Sequence, residues 1–98
     1  MGLRHIVTLT FRDGTTPEQI DAIVAALREL PGQIPEIQAY SVGVDAGLAE
    51  GNATLGIVGD FASVADYEVY RDHPAHQAVI TQHIVEVLAG RSALQHET

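Results

Sequence analysis

Strict alternation marks the first element of the chain. From His5 to Phe11, His5, Val7, Leu9 and Phe11 fall on one face, and Ile6, Thr8 and Thr10 on the other. Successive side chains of a strand point to opposite sides, so this stretch predicts a strand with one buried face. Arg12-Asp13-Gly14 supplies a turn. The period then changes: Ile20, Ile23, Val24, Leu27 and Leu30 recur at helical spacing. Thr16, Pro17 and Gln19 ahead of them form a capping-box start, and Pro31-Gly32 marks the expected end.

Alternation returns over residues 38–45, where Tyr40, Val42 and Val44 oppose Ser41 and Gly43. Gly47 to Asn52 predicts a hairpin loop, and Thr54 to Phe61 a third strand. Leu55, Ile57 and Phe61 share one face of that strand; Thr54, Gly56 and Val58 share the other. Ser63 caps a helix expected to reach Arg71, with Val64, Tyr67 and Tyr70 on one side. His73 and Pro74 then start another helix, expected to fade at Ala89-Gly90. Val79, Ile80, Ile84, Val87 and Leu88 give it an apolar face, which His76 and His83 share. Ser92 to His96 predicts a final short strand with Leu94 inward.

The order strand, helix, strand, strand, helix, strand predicts an α+β, ferredoxin-like fold. In that fold a four-stranded antiparallel sheet carries helices on one face. Residues 1–98 are expected to form one domain, since no linker or repeat interrupts them. One sheet face is bulky (Val7, Leu9, Phe11, Val42, Leu55, Ile57) and should meet the helices. The other is small and mixed (Ile6, Thr8, Thr10, Ser41, Gly43, Val58, Ala93). Such a face suits packing against the sheet of a second copy, roughly 10 Å between backbones, so a homodimer is expected.

Composition narrows the function classes. With 46% hydrophobic and 18% charged residues the chain should fold rather than stay disordered. Its net charge is −8, with arginines as the only strong bases. That balance lacks the basic footprint of nucleic-acid binding and is repelled by anionic lipid. No apolar run is long enough to span a membrane, and the start has no signal-peptide architecture, so a cytoplasmic location is expected. The absence of cysteine excludes disulfides and thiolate metal sites within these residues.

Chemistry concentrates between Tyr70 and His76. His76 falls in the first turn of its helix, where the dipole and burial disfavour imidazolium; a neutral imidazole is what a general base needs. Its alternative role is a buried histidine bonded to a carbonyl. Tyr70 has the chemistry to stabilise an enolate oxygen, or it is simply a core aromatic with its hydroxyl at the rim. His5 either orients His76, contacts substrate, or ends a strand in solvent. Val7, Leu9, Leu55, Ile57 and Ile80 should line an aliphatic pocket whose polar end includes His73, which equally suits a helix cap. The expected ligand is an apolar small molecule. His73, His76 and His83 raise a metal reading, but no HExxH-like pattern accompanies them, so neither a metal nor an organic cofactor is expected.

Four stretches together resemble the stress-responsive dimeric A/B barrel (Dabb) family: Arg4-His5-Ile6-Val7, Leu30-Pro31-Gly32, Asp60-Phe61 and His73-Pro74-Ala75-His76. The resemblance covers nearly the whole chain, and the HPAH tetrapeptide is its most specific part. It implies a ferredoxin-like protomer that pairs through its open sheet face into a dimeric α/β barrel. One plant branch of the family, of the olivetolic acid cyclase type, closes a linear polyketide by aldol-type condensation. Resemblance to that branch implies a catalytic role for His76 and Tyr70 and a pocket role for His5. The branch carries a pocket histidine where this chain has Leu55. Three classes follow: a cofactor-free cyclase or isomerase, a non-catalytic binding protein, and a structural stress protein. An open cavity between sheet and helices separates the first two from the third.

Overall fold

Strand β1 (Leu3–Phe11) runs through the middle of the sheet because both of its edges are paired. It is antiparallel to β3 (Leu55–Phe61) on one side and to β4 (Leu88–Glu97) on the other; β2 (Ala39–Val44) completes the order β2-β3-β1-β4. This computed structural model describes residues 1–98. The helices are α1 (Pro17–Arg28), a short α2 (Leu30–Gln33), α3 (Val64–Asp72) and α4 (Pro74–Val79), the last continued by a π-helical turn over Ile80–Ile84. The architecture is the α+β, ferredoxin-like one the sequence predicts. No helix is long and apolar enough to cross a membrane.

Local chemistry accounts for the main boundaries. Thr16 Oγ1 accepts from the Gln19 amide at 3.1 Å, and Gln19 Oε1 accepts from the Thr16 amide at 2.9 Å, which closes the capping box of α1. Ile23, Val24 and Leu27 of that helix are buried against the inward sheet residues Val7, Leu9, Val42, Leu55 and Ile57. Ser63 Oγ accepts from the Asp66 amide at 3.1 Å and starts α3.

Several expectations need correction. Pro31-Gly32 does not end α1; it lies inside α2. The missing proline N–H costs nothing in a first helical turn, and the fully buried Leu30 anchors that turn. The last helix does not reach Ala89-Gly90, because Leu88, Ala89 and Gly90 already belong to β4. Val64 is exposed rather than packed beside Tyr67 and Tyr70.

The parity of β4 also differs from expectation. Leu88 pairs with Phe11, but Gly90 pairs with Thr10, so Ala89 is an extra residue at a β-bulge. Beyond it Arg91, Ala93 and Gln95 pair with Leu9, Val7 and His5, and therefore share the helix-side face. Leu94 pairs with Ile6, lies on the open face and is 54% exposed. Ala93 and Leu94 thus exchange their expected faces, as a one-residue shift requires.

Candidate functional site

One transverse row of the sheet builds the floor of the site. Tyr40 pairs with Gly59, Gly59 with His5, and His5 with Gln95, so all four strands contribute one residue to the same line. Gly59 is small for a reason: a Cβ there would sit 3.2–3.3 Å from the Phe61 and Tyr40 rings. The Tyr40 ring therefore reaches over the row, and its hydroxyl lies 2.8 Å from that of Tyr70, which comes down from α3. Tyr70 is 2% exposed and stands edge-on to His5, with centroids 6.1 Å apart. Tyr67, one turn earlier on α3, approaches His5 to 4.9 Å.

The break between α3 and α4 delivers His76. His73 caps α4, its Nδ1 accepting from the Ala75 amide at 3.0 Å. His76 then stacks on Tyr70 with ring centroids 4.2 Å apart. Its Nδ1 lies 3.0 Å from the Arg71 carbonyl oxygen. A carbonyl only accepts, so this contact assigns the proton to Nδ1 and leaves the Nε2 lone pair free in the neutral ring. At His5 the assignment reverses: Gln95 Nε2 donates to Nδ1 at 2.7 Å, which places the His5 proton on Nε2.

A cavity of about 180 Å³ opens between this group and the helices. Of the residues singled out from the sequence, His5, Val7, Leu9, Ile57, Ile80, Tyr70 and His76 line it. Leu55 and His73 do not. Leu55 is 1% exposed in the core, and the His73 ring is occupied with its cap. His83 is absent from the lining as well. Regular helical spacing puts residues 76 and 83 on one face, but the π turn, with Val85 N–H bonded to the Ile80 carbonyl at 2.9 Å, widens the helix between them. No group of three or more His, Asp or Glu side chains is arranged to hold a metal ion. Arg71 and Asp72 form the expected exposed pair at 2.9 Å.

Burial sets the electrostatics. It holds the His5 imidazole down to about 4, with the Arg91 guanidinium and His76 adding like-charge repulsion. His76 is also held below the ordinary imidazole value, chiefly by burial, although its hydrogen bonds to backbone carbonyls pull the other way. Burial pushes the Tyr70 phenol up to about 12, opposed by its bond to Tyr40, and raises Tyr40 as well. At neutral pH the group presents uncharged imidazoles and phenols.

The His5 shift has a consequence for stability. Above pH 6.5 the ring is neutral whether the chain is folded or unfolded. Between pH 6.5 and about 4 the unfolded ring takes up a proton that the folded one refuses, so stability falls with pH by up to about 3 kcal/mol. Urea midpoints at pH 7 and pH 4.5 should show this loss, and His5→Gln should flatten the difference. An unchanged pH slope in that variant would refute it.

Sequence reasoning did not single out Tyr40, Gly59, Gln95 or Arg91 for the site. Each is placed by cross-strand register, which Tyr40's inward parity only partly signals.

The family model of the stress responsive A/B barrel domain matches residues 3–96. This chain belongs to that family. A dimeric ferredoxin-like protein of unknown function from Thermobifida fusca YX is 39% identical, with a TM-score of 0.92 over 100% of this chain and 92% of that one. A dimeric protein of unknown function and ferredoxin-like fold from Bacteroides fragilis is 24% identical, with a TM-score of 0.85 over 99% and 96% of the two chains. The hydroxynitrile lyase of Passiflora edulis is 23% identical, with a TM-score of 0.84 over 97% and 91%, a likeness of fold. No curated protein matches the chain in sequence.

Proposed function

We propose that this Dabb-family chain is a small-molecule pocket protein acting as a cofactor-independent cyclase or isomerase on a polyketide-like carbonyl compound. The observation that carries this reading is the stack of His76 on Tyr70 at the polar end of an otherwise aliphatic cavity. His76 Nε2 takes a proton from the carbon next to a carbonyl, and the electron pair passes to the carbonyl oxygen as an enolate. The Tyr70 hydroxyl, 2.8 Å from that of Tyr40, turns its proton to that oxygen and donates to it. The carbon then attacks a second carbonyl of the same molecule, whose new alkoxide recovers the proton from His76; reprotonation at another carbon instead gives isomerisation.

The same reading includes a homodimer formed through the open sheet face, as in the dimeric Thermobifida and Bacteroides relatives. A shallow groove there, lined by Thr8, Ser41, Gly43, Gly56 and Val58, gives a second sheet small residues to pack on. The Passiflora protein supports catalysis only by analogy of fold.

One observation favours a non-catalytic binding role: the Tyr70 hydroxyl already has a hydrogen-bond partner in Tyr40, for which a substrate oxygen would have to compete. A purely structural role fits less well, because side chains leave the cavity unfilled. The test is deuterium exchange next to the carbonyl, or ring closure, across poly-β-keto acids and thioesters. Tyr70→Phe should keep the ring and cost about a hundredfold in rate. Equal rates for the variant and wild type would sink the mechanism, and tight binding without turnover would select the binding role.

A further inference from the structure

The cavity's chemistry as described is neutral, yet its rim carries a cation that nothing balances. Arg71 and Arg91 are the charged residues of the lining, and no carboxylate joins them. Arg71 is satisfied by Asp72 at 2.9 and 3.0 Å and lies 3.8 Å from Glu68. Arg91 takes part in none of the chain's ion pairs. It stands opposite Leu9 on the helix-side face of β4, put there by the bulge at Ala89. Its charge reaches His5, Tyr70 and His76. A chain of net charge −8 thus presents an uncompensated guanidinium at the entrance of its one aliphatic, largely enclosed cavity.

We propose that Arg91 is the specificity determinant of the pocket and binds the carboxylate of a short aliphatic oxo-acid whose chain enters the cavity. This inference rests on the small-molecule reading above and narrows its substrate class from thioesters and neutral ketones to free acids. The guanidinium fork matches the two oxygens of a carboxylate, and such a pair strengthens next to a low-dielectric wall. Size points the same way: about 180 Å³ lies below the roughly 300–1,000 Å³ of drug-sized pockets, so the buried part of the ligand is short. A bound carboxylate also offsets the Arg91 charge, which adds to the burial that depresses His5 and His76. Binding the right ligand therefore raises the basicity of His76, and a neutral ligand of the same shape does not.

The experiment compares hexanoate with hexanamide, an uncharged analogue of equal chain length, by calorimetry and by NMR titration of the His76 ring. Wild type should bind hexanoate at least about tenfold more tightly than hexanamide, a charge-assisted preference. Hexanoate should raise the His76 pKa and hexanamide should leave it in place. Arg91→Gln should bind both probes equally and lose the shift; Arg91→Lys should keep part of the preference. Because Arg91 is exposed, these variants should unfold at the wild-type temperature. Equal affinity of wild type for the two probes, or a preference that survives Arg91→Gln, overturns the assignment and leaves the pocket reading intact. Binding of neither probe overturns both.

Discussion

His76→Ala should lower turnover in the exchange or cyclisation assay by roughly two to four orders of magnitude while leaving a folded protein. The chemistry loses its only unencumbered base: His5 is held at about 4 and its Nδ1 lone pair is occupied by Gln95. Structure suffers less. His76 is half-buried, and its removal forfeits the stack on Tyr70, worth about 0.5–1.5 kcal/mol. The space left by the ring admits free imidazole, so added imidazole should restore part of the rate to His76→Ala and none to Tyr70→Phe. A variant as fast as wild type would remove His76 from the mechanism. A slow variant that imidazole does not rescue, with a lowered melting temperature, would mean that the ring only holds α4 in place.

Thr8→Arg should convert the dimer to a monomer or to aggregate. Thr8 belongs to a transverse row in which Gly43 pairs with Gly56, Gly56 with Thr8, and Thr8 with Ser92. No side chain in that row is larger than threonine. The adjoining row of Ser41, Val58, Ile6 and Leu94 adds the apolar contact area, including the exposed Leu94. An arginine in the small row would stand between two sheets packed roughly 10 Å apart. Taking such a charge out of water costs several kcal/mol. Sedimentation at micromolar concentration reads the outcome: dimer for wild type, and loss of dimer for Thr8→Arg. A monomeric wild type would end the barrel arrangement altogether.

How much of this was legible in the sequence depended on what kind of signal each residue carried. The alternation of β1 and the capping box of α1 are local, and both elements appear where the pattern puts them. The order of elements then gave the ferredoxin-like sheet. Failures came where a non-local event reset the phase. Leu94 and Ala93 exchanged faces because the bulge at Ala89 adds a residue that no propensity announces. His83 left the cavity because a π turn interrupts the 3.6-residue period. Within the site, His5, Tyr70 and His76 could be grouped from spacing and resemblance, whereas the Tyr40 hydroxyl and the Gln95 amide could not. Their partners lie 30 and 90 residues away in sequence, and only strand register brings them together.

The extra residue in β4 also says how this pocket can diversify. Without the bulge, Ala89 would pair with Thr10, and Arg91 would fall opposite Thr8. The guanidinium would then leave the cavity rim for the β4 end of the small-residue row, beside Thr8, on the face where Thr8→Arg is expected to be fatal to pairing. A single step of backbone thus sorts one arginine between ligand recognition and an assembly defect. Insertions and deletions around residues 88–90 are accordingly a route by which related chains can trade pocket charge without altering any residue that lines the pocket from the helices.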